Sequence, residues 1–184
     1  MMENMKNNIQ NLTFTALMTA VLCIIGPFVV PVGMVPVSFA NMAIYLTIIL
    51  LDKKKAFVSI VIYLLIGFIG IPVFSGFSAG AGKLFGPTGG YLIGYLVLSF
   101  IGGKFLENEK GQRKKRSLSQ FLALSVGTFG LYITGTAWLM YQSKLDAMTA
   151  LTVGVFPFVL LDFIKMILAI SLGNAIKKRL RFLL

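Results

Sequence analysis

The chain has 184 residues, 57% hydrophobic and only 12% charged, with a mean hydropathy of +0.88. A soluble domain carries about 25% charged residues, so the shortfall excludes an ordinary soluble domain and points to a membrane. The net charge of +11 is then first a topology signal and does not call for nucleic acid. The absence of histidine removes the commonest general base and the commonest metal ligand.

Six hydrophobic segments follow, each near the ~20 residues that a bilayer needs: Leu12–Val30, Val35–Leu51, Ala56–Phe74, Pro87–Leu106, Ser119–Tyr141 and Val153–Ile176. The expected fold class is an all-α integral membrane protein, residues 1–184 forming a single transmembrane domain. The first segment reads as a retained helix: its n-region holds only Lys6, no small-residue cleavage site follows, and the run is long for a signal peptide. Cys23 within it has no partner for an internal disulfide and reads as a buried bystander.

Charge sorts by side. Lys6, Lys53–Lys55, the run from Lys104 to Arg116, and Lys177–Arg181 put 14 basic residues on one side, against Lys83 and Lys144 on the other. The positive-inside rule therefore predicts that both termini are cytoplasmic. Basic runs such as Arg113-Lys114-Lys115-Arg116 are topology anchors beside anionic lipid.

Between segments one and two, Pro31–Pro36 forms a short, stiff outer turn that can serve as a lid. Asn41, early in segment two, is a lone amide at depth. It either bonds across helices or meets a cavity.

Between segments three and four, residues 75–95 read SGFSAGAGKLFGPTGGYLIGY, with seven glycines and one lysine. Gly82-Lys83 mimics the end of a phosphate-binding loop. That motif needs glycine five residues earlier and Ser or Thr after the lysine; Phe77 and Leu84 stand there instead. Such glycine density permits left-handed backbone and close approach, and irregular backbone at membrane depth must line a cavity or be buried in protein. The stretch is therefore expected to fold over an outward-facing cavity, with Pro87 opening the next helix and Tyr91 in its first turn. Tyr91 suits either the cavity edge or the interfacial aromatic belt.

Segment six holds the remaining lysine. Asp162 and Lys165, three apart, share a helix face in a run otherwise uncharged from Val153 to Gly173. Ionisable groups at bilayer depth are costly, and they face a cavity or the bundle interior. Counted from Val153, Asp162 lies ~13 Å inward, in the outer half of the bilayer. Such a pair either locks helices together or meets a small solute with donors and acceptors. Pro157, one turn earlier, either opens the helix or kinks it.

GIPVFSGFSAGAGKLFGPTGGYLIGY (Gly70–Tyr95) followed by the Asp162-x-x-Lys165 of the last segment resembles the BioY family, the biotin-binding S components of energy-coupling factor (ECF) vitamin transporters. VPVGMVPVSFANMAIYL (Val30–Leu46) is similar to the family's Pro-rich first loop and second helix. The resemblance implies an S-component fold of six helices in a prokaryotic plasma membrane, with an outward-facing vitamin pocket. It implies biotin as a transported ligand rather than a cofactor. It implies docking on a membrane coupling subunit with two cytoplasmic ATPases, and no catalysis in this chain. By similarity Tyr91, Asp162 and Lys165 match expected biotin contacts, and Thr88, Gly89, Gly90 and Asn41 join the expected site. Ala16 and Ala20 fit the A-x-x-x-A docking patch of such proteins.

Other classes fare less well on the residues. An intramembrane enzyme needs a nucleophile–base pair or a metal site, and only one carboxylate lies at depth. A channel usually needs a ring of polar groups. An S component for another vitamin would share the topology.

Overall fold

In lipid, a chain that does not close a barrel satisfies its backbone as helix. The structure, a computed structural model that describes residues 2–30, 37–108 and 116–183, is accordingly mostly helical, with one short ribbon and the connecting loops. The elements are α1 (Met2–Ile25), β1 (Val29–Val30), β2 (Val37–Ser38), α2 (Ala40–Leu50), α3 (Lys53–Ile69), α4 (Ala81–Leu84), α5 (Gly89–Asn108), α6 (Arg116–Ser143), α7 (Ala147–Gly154) and α8 (Phe156–Leu183). Among the described residues, three helical stretches are long and apolar enough to cross a membrane: Gly89–Glu107, Ser117–Ser143 and Ala147–Arg179.

Four boundaries differ from the sequence reading, the third run leaving helix after Ile69, five residues short of Phe74. The first apolar run does not stay helical to Val30. Val29 and Val30 leave α1 and pair antiparallel with Ser38 and Val37. β-Branched residues favour strand, and Val30 precedes Pro31, which disfavours helix. The proposed Pro31–Pro36 lid lies outside the described residues. The second run becomes helical only at Ala40, giving 11 residues, a helix of about 16 Å by its rise per residue. The last run is two helices: α7 ends at Gly154, Val155 leaves helical geometry (φ −127°, ψ −60°), and α8 begins at Phe156. Pro157 thus sits in the first turn of α8, where its missing N–H is harmless.

Much of the helices' outward surface is apolar. Leu118, Leu122, Val126, Phe129 and Ile133 make one exposed stripe on α6, and Val58, Ile62, Leu65 and Ile69 make another on α3. In water such surface would cost about 25 cal/mol per Å²; against acyl chains it is at home. Inside, Leu22, Ile44, Tyr45, Ile60, Tyr63 and Leu98 anchor the main core. Three buried threonines are satisfied on their own helices: Thr19, Thr47 and Thr128 each donate to the carbonyl four residues back.

Helices α5 and α6 form the most extensive pairing, on a seam of glycine. A methyl at Gly94 would stand 2.6 Å from Leu131 Cδ1, and one at Gly127 would stand 2.7 Å from Leu98 Cδ1. Small residues let two backbones approach closely where no hydrophobic force drives them together.

The glycine-rich stretch between α3 and α5 is tied to neighbouring backbone. Gly70, at φ 116°, closes α3 in a left-handed turn, with the Ile71 N–H returning to the Ile66 carbonyl at 3.3 Å. Gly80 N–H then bonds the Gly67 carbonyl at 2.7 Å and Gly76 N–H bonds the Pro27 carbonyl at 2.9 Å. The loop folds back onto the end of α3 and the turn after α1.

Candidate functional site

Helix α8 places Phe158, Asp162 and Lys165 on one face by four- and three-residue spacing. Counted from the first residue of α8, Asp162 lies about 9 Å along the axis. Asp162 is 1% exposed and Lys165 7% exposed. Lys165 Nζ donates to Asp162 Oδ1 at 3.0 Å and to the Ser38 carbonyl at 2.9 Å. Asn41 Nδ2 reaches both carboxylate oxygens, at 3.3 and 3.1 Å. Tyr132 Oη donates to Oδ2 at 2.7 Å. The carboxylate is therefore held from α2, α6 and α8 together, and no buried side-chain N or O among the described residues lacks a partner.

Local structure explains these positions. Ser38 ends the ribbon, so its carbonyl faces Lys165 while its hydroxyl accepts the Ala40 N–H at 3.0 Å where α2 begins. Asn41 lies on the first turn of that helix. The ribbon and the short α2 thus meet at the depth of the charged pair.

These groups open on a cavity of about 50 Å³, room for a few waters, lined also by Tyr91, Tyr95, Leu131, Gly154 and Phe158. Tyr91 Oη donates to the Gly154 carbonyl at 3.0 Å, where α7 gives way to α8. An ammonium carries three donors; two from Lys165 have protein acceptors among the described residues, the Ser38 carbonyl and Asp162 Oδ1. The wall combines the ammonium, three phenol hydroxyls and an amide with apolar Leu131 and Phe158. It suits a small ligand with a polar head and an apolar body.

Of the residues expected from sequence, Asn41, Tyr91, Asp162 and Lys165 come together here. Thr88, Gly89 and Gly90 do not line this cavity. Thr88 accepts the Tyr91 N–H at 3.2 Å, and Gly89 turns the chain against Leu84. Gly90 packs under Trp138, whose indole N–H holds the Gly86 carbonyl at 2.9 Å. They set the start of α5, and so the place of Tyr91. Lys83 is half-buried on α4, also away from the cavity wall, and partial burial pulls its ammonium below the ordinary value. Ala16 and Ala20 are exposed on α1. Tyr95 and Phe158 were not among the expected residues, although each lies one turn from Tyr91 or Asp162. Tyr132 and Ser38 carried no local signal.

A model of the BioY family matches residues 1–182. The chain belongs to the BioY family. Its relatives include Biotin transporter BioY2 of Lactococcus lactis subsp. cremoris, 37% identical over 179 residues, 97% of this chain and 95% of that protein. Biotin transporter BioY of Thermotoga maritima is 35% identical over 90% of this chain and 92% of its own length. The fold matches the crystal structure of the S-component for biotin from an ECF-type ABC transporter at a TM-score of 0.87, with 30% identity over 94% of this chain and 93% of that one. The BioY membership agrees with the resemblance carried by Gly70–Tyr95 and the Asp162-x-x-Lys165 pair.

Proposed function

We propose that this chain captures biotin from the outer side of a prokaryotic plasma membrane and carries it inward as the S component of an ECF transporter. The observation that carries the reading is the buried Asp162–Lys165 pair opening on a cavity walled by three tyrosines and Asn41, in a BioY chain whose relatives are named biotin transporters. The ureido group of biotin brings two donors and one acceptor, its ring is apolar, and its tail is a carboxylate. The Lys165 ammonium serves a ureido or carboxylate oxygen, and Asp162 or a tyrosine oxygen serves the ureido N–H groups.

The chain crosses the membrane six times with both termini cytoplasmic, a reading supported by the 14 basic residues on one side against two on the other. Energy comes from a membrane coupling subunit and two cytoplasmic ATPases, docked through the exposed Ala16–Ala20 face of α1. Calorimetric titration of the detergent-purified chain with biotin tests the capture. Saturable binding at micromolar biotin or below, without ATP hydrolysis, is expected, and a folded chain that binds none refutes it. In a Cys23→Ser background, Lys144→Cys should react with an impermeant thiol reagent in intact cells and Lys178→Cys only after permeabilisation. The reverse pattern refutes the orientation.

A further inference from the structure

Tyr91 occupies a seat that only glycine leaves open. Its ring lies on α6 at Gly135: a methyl there would stand 2.7 Å from Tyr91 Cγ and closer still to Cδ1 and Cε1, against an ordinary carbon contact of about 3.5 Å. Its hydroxyl lies on Gly154, where a methyl would overlap Oη, and bonds the carbonyl of that residue at 3.0 Å. Gly135 and Gly154 come from different elements and converge on one side chain.

The obstruction at Gly135 is the body of a ring, not the free end of a flexible chain. The seam between α5 and α6 is already at glycine contact through Gly94 and Gly127, so the helices have no slack to absorb it. Tyr91 is walled by α6 and by the α7–α8 corner, and it lines the cavity. A ring pushed off Gly135 therefore moves towards the ligand's space.

We propose that Gly135 and Gly154 are positioning residues that recess Tyr91 and so set the width of the ligand cavity, and with it the bulk of ligand accepted. This rests on the biotin-capture reading. It gives these two glycines a role in selectivity separate from helix packing.

The test is a double-mutant cycle read with two ligands, biotin and desthiobiotin, which lacks the thioether ring. Gly135→Ala should weaken biotin by roughly tenfold or more, the scale of one methylene in an apolar pocket, and desthiobiotin distinctly less. Gly130→Ala on the same helix, which meets only the tips of Ile101 and Val97 at 3.0 Å, should leave the ratio of the two affinities unchanged. In a Tyr91→Ala background, adding Gly135→Ala should cost nothing further, because the ring it displaces is gone. Equal losses for both ligands, or the same loss with and without the Tyr91 ring, overturns the proposal, as does Gly135→Ala failing to fold in both backgrounds. Wild-type protein that binds neither ligand refutes the capture reading instead.

Discussion

The Tyr132 hydroxyl donates to Asp162 Oδ2 at 2.7 Å, joining α6 to α8 at the bottom of the cavity. The carboxylate thus meets a phenol, an amide from Asn41 and the Lys165 ammonium before any ligand arrives. Charge-assisted bonds of this kind are about twice as strong as neutral ones, so the network orients the ligand-facing groups as well as balancing charge.

Tyr132→Phe deletes one such bond and little volume. It should cost about 1.5–3 kcal/mol where the network is intact, read as a lower midpoint of thermal unfolding in detergent and a weaker biotin affinity. An unchanged affinity would place Tyr132 outside the binding network.

Asp162→Asn removes the countercharge of the Lys165 ammonium, which is 7% exposed, and leaves it only neutral acceptors such as the Ser38 carbonyl. Breaking a buried pair by removing one partner costs about 3–5 kcal/mol. Biotin binding should collapse, while membrane insertion stays normal. Adding Lys165→Met should restore most of the thermal stability and none of the binding. Recovery of binding in the double variant would show that the pair only packs helices.

At the other end of the α6–α8 interface, Gln120 and Asn174 exchange amide bonds at 3.3 and 3.0 Å. Asn174→Leu strands the Gln120 amide, which is 3% exposed, at a cost of about 1–3 kcal/mol. The unfolding midpoint should fall with biotin affinity unchanged. A parallel loss of affinity would mean that this distant contact is coupled to the cavity.

Ala16→Leu and Ala20→Leu add bulk to an exposed face of α1 without touching the cavity. Binding by the isolated chain should be unaltered. Uptake by cells that supply the coupling subunits should drop about tenfold, in line with the 1–3 kcal/mol of an overpacked contact. Normal uptake would move the docking face elsewhere.

Local chemistry alone determined the membrane class, because hydropathy and charge are sums over neighbours in sequence. It also placed Asp162 and Lys165 on one face, because helical spacing is a property of a single segment. The Gly70–Tyr95 stretch likewise carried the family. Tertiary packing decided the rest. Val29–Val30 pair antiparallel with Val37–Ser38, which shortens α2 and delivers the Ser38 carbonyl to Lys165 from 127 residues away. Tyr132 reaches Asp162 across 30 residues and Asn41 across 121, meetings that no periodicity encodes. The glycines divided in the same way. Their density marked an unusual segment, but only the packed helices showed which ones turn the chain, as Gly70 does, and which ones, Gly135 and Gly154, leave room for a tyrosine ring.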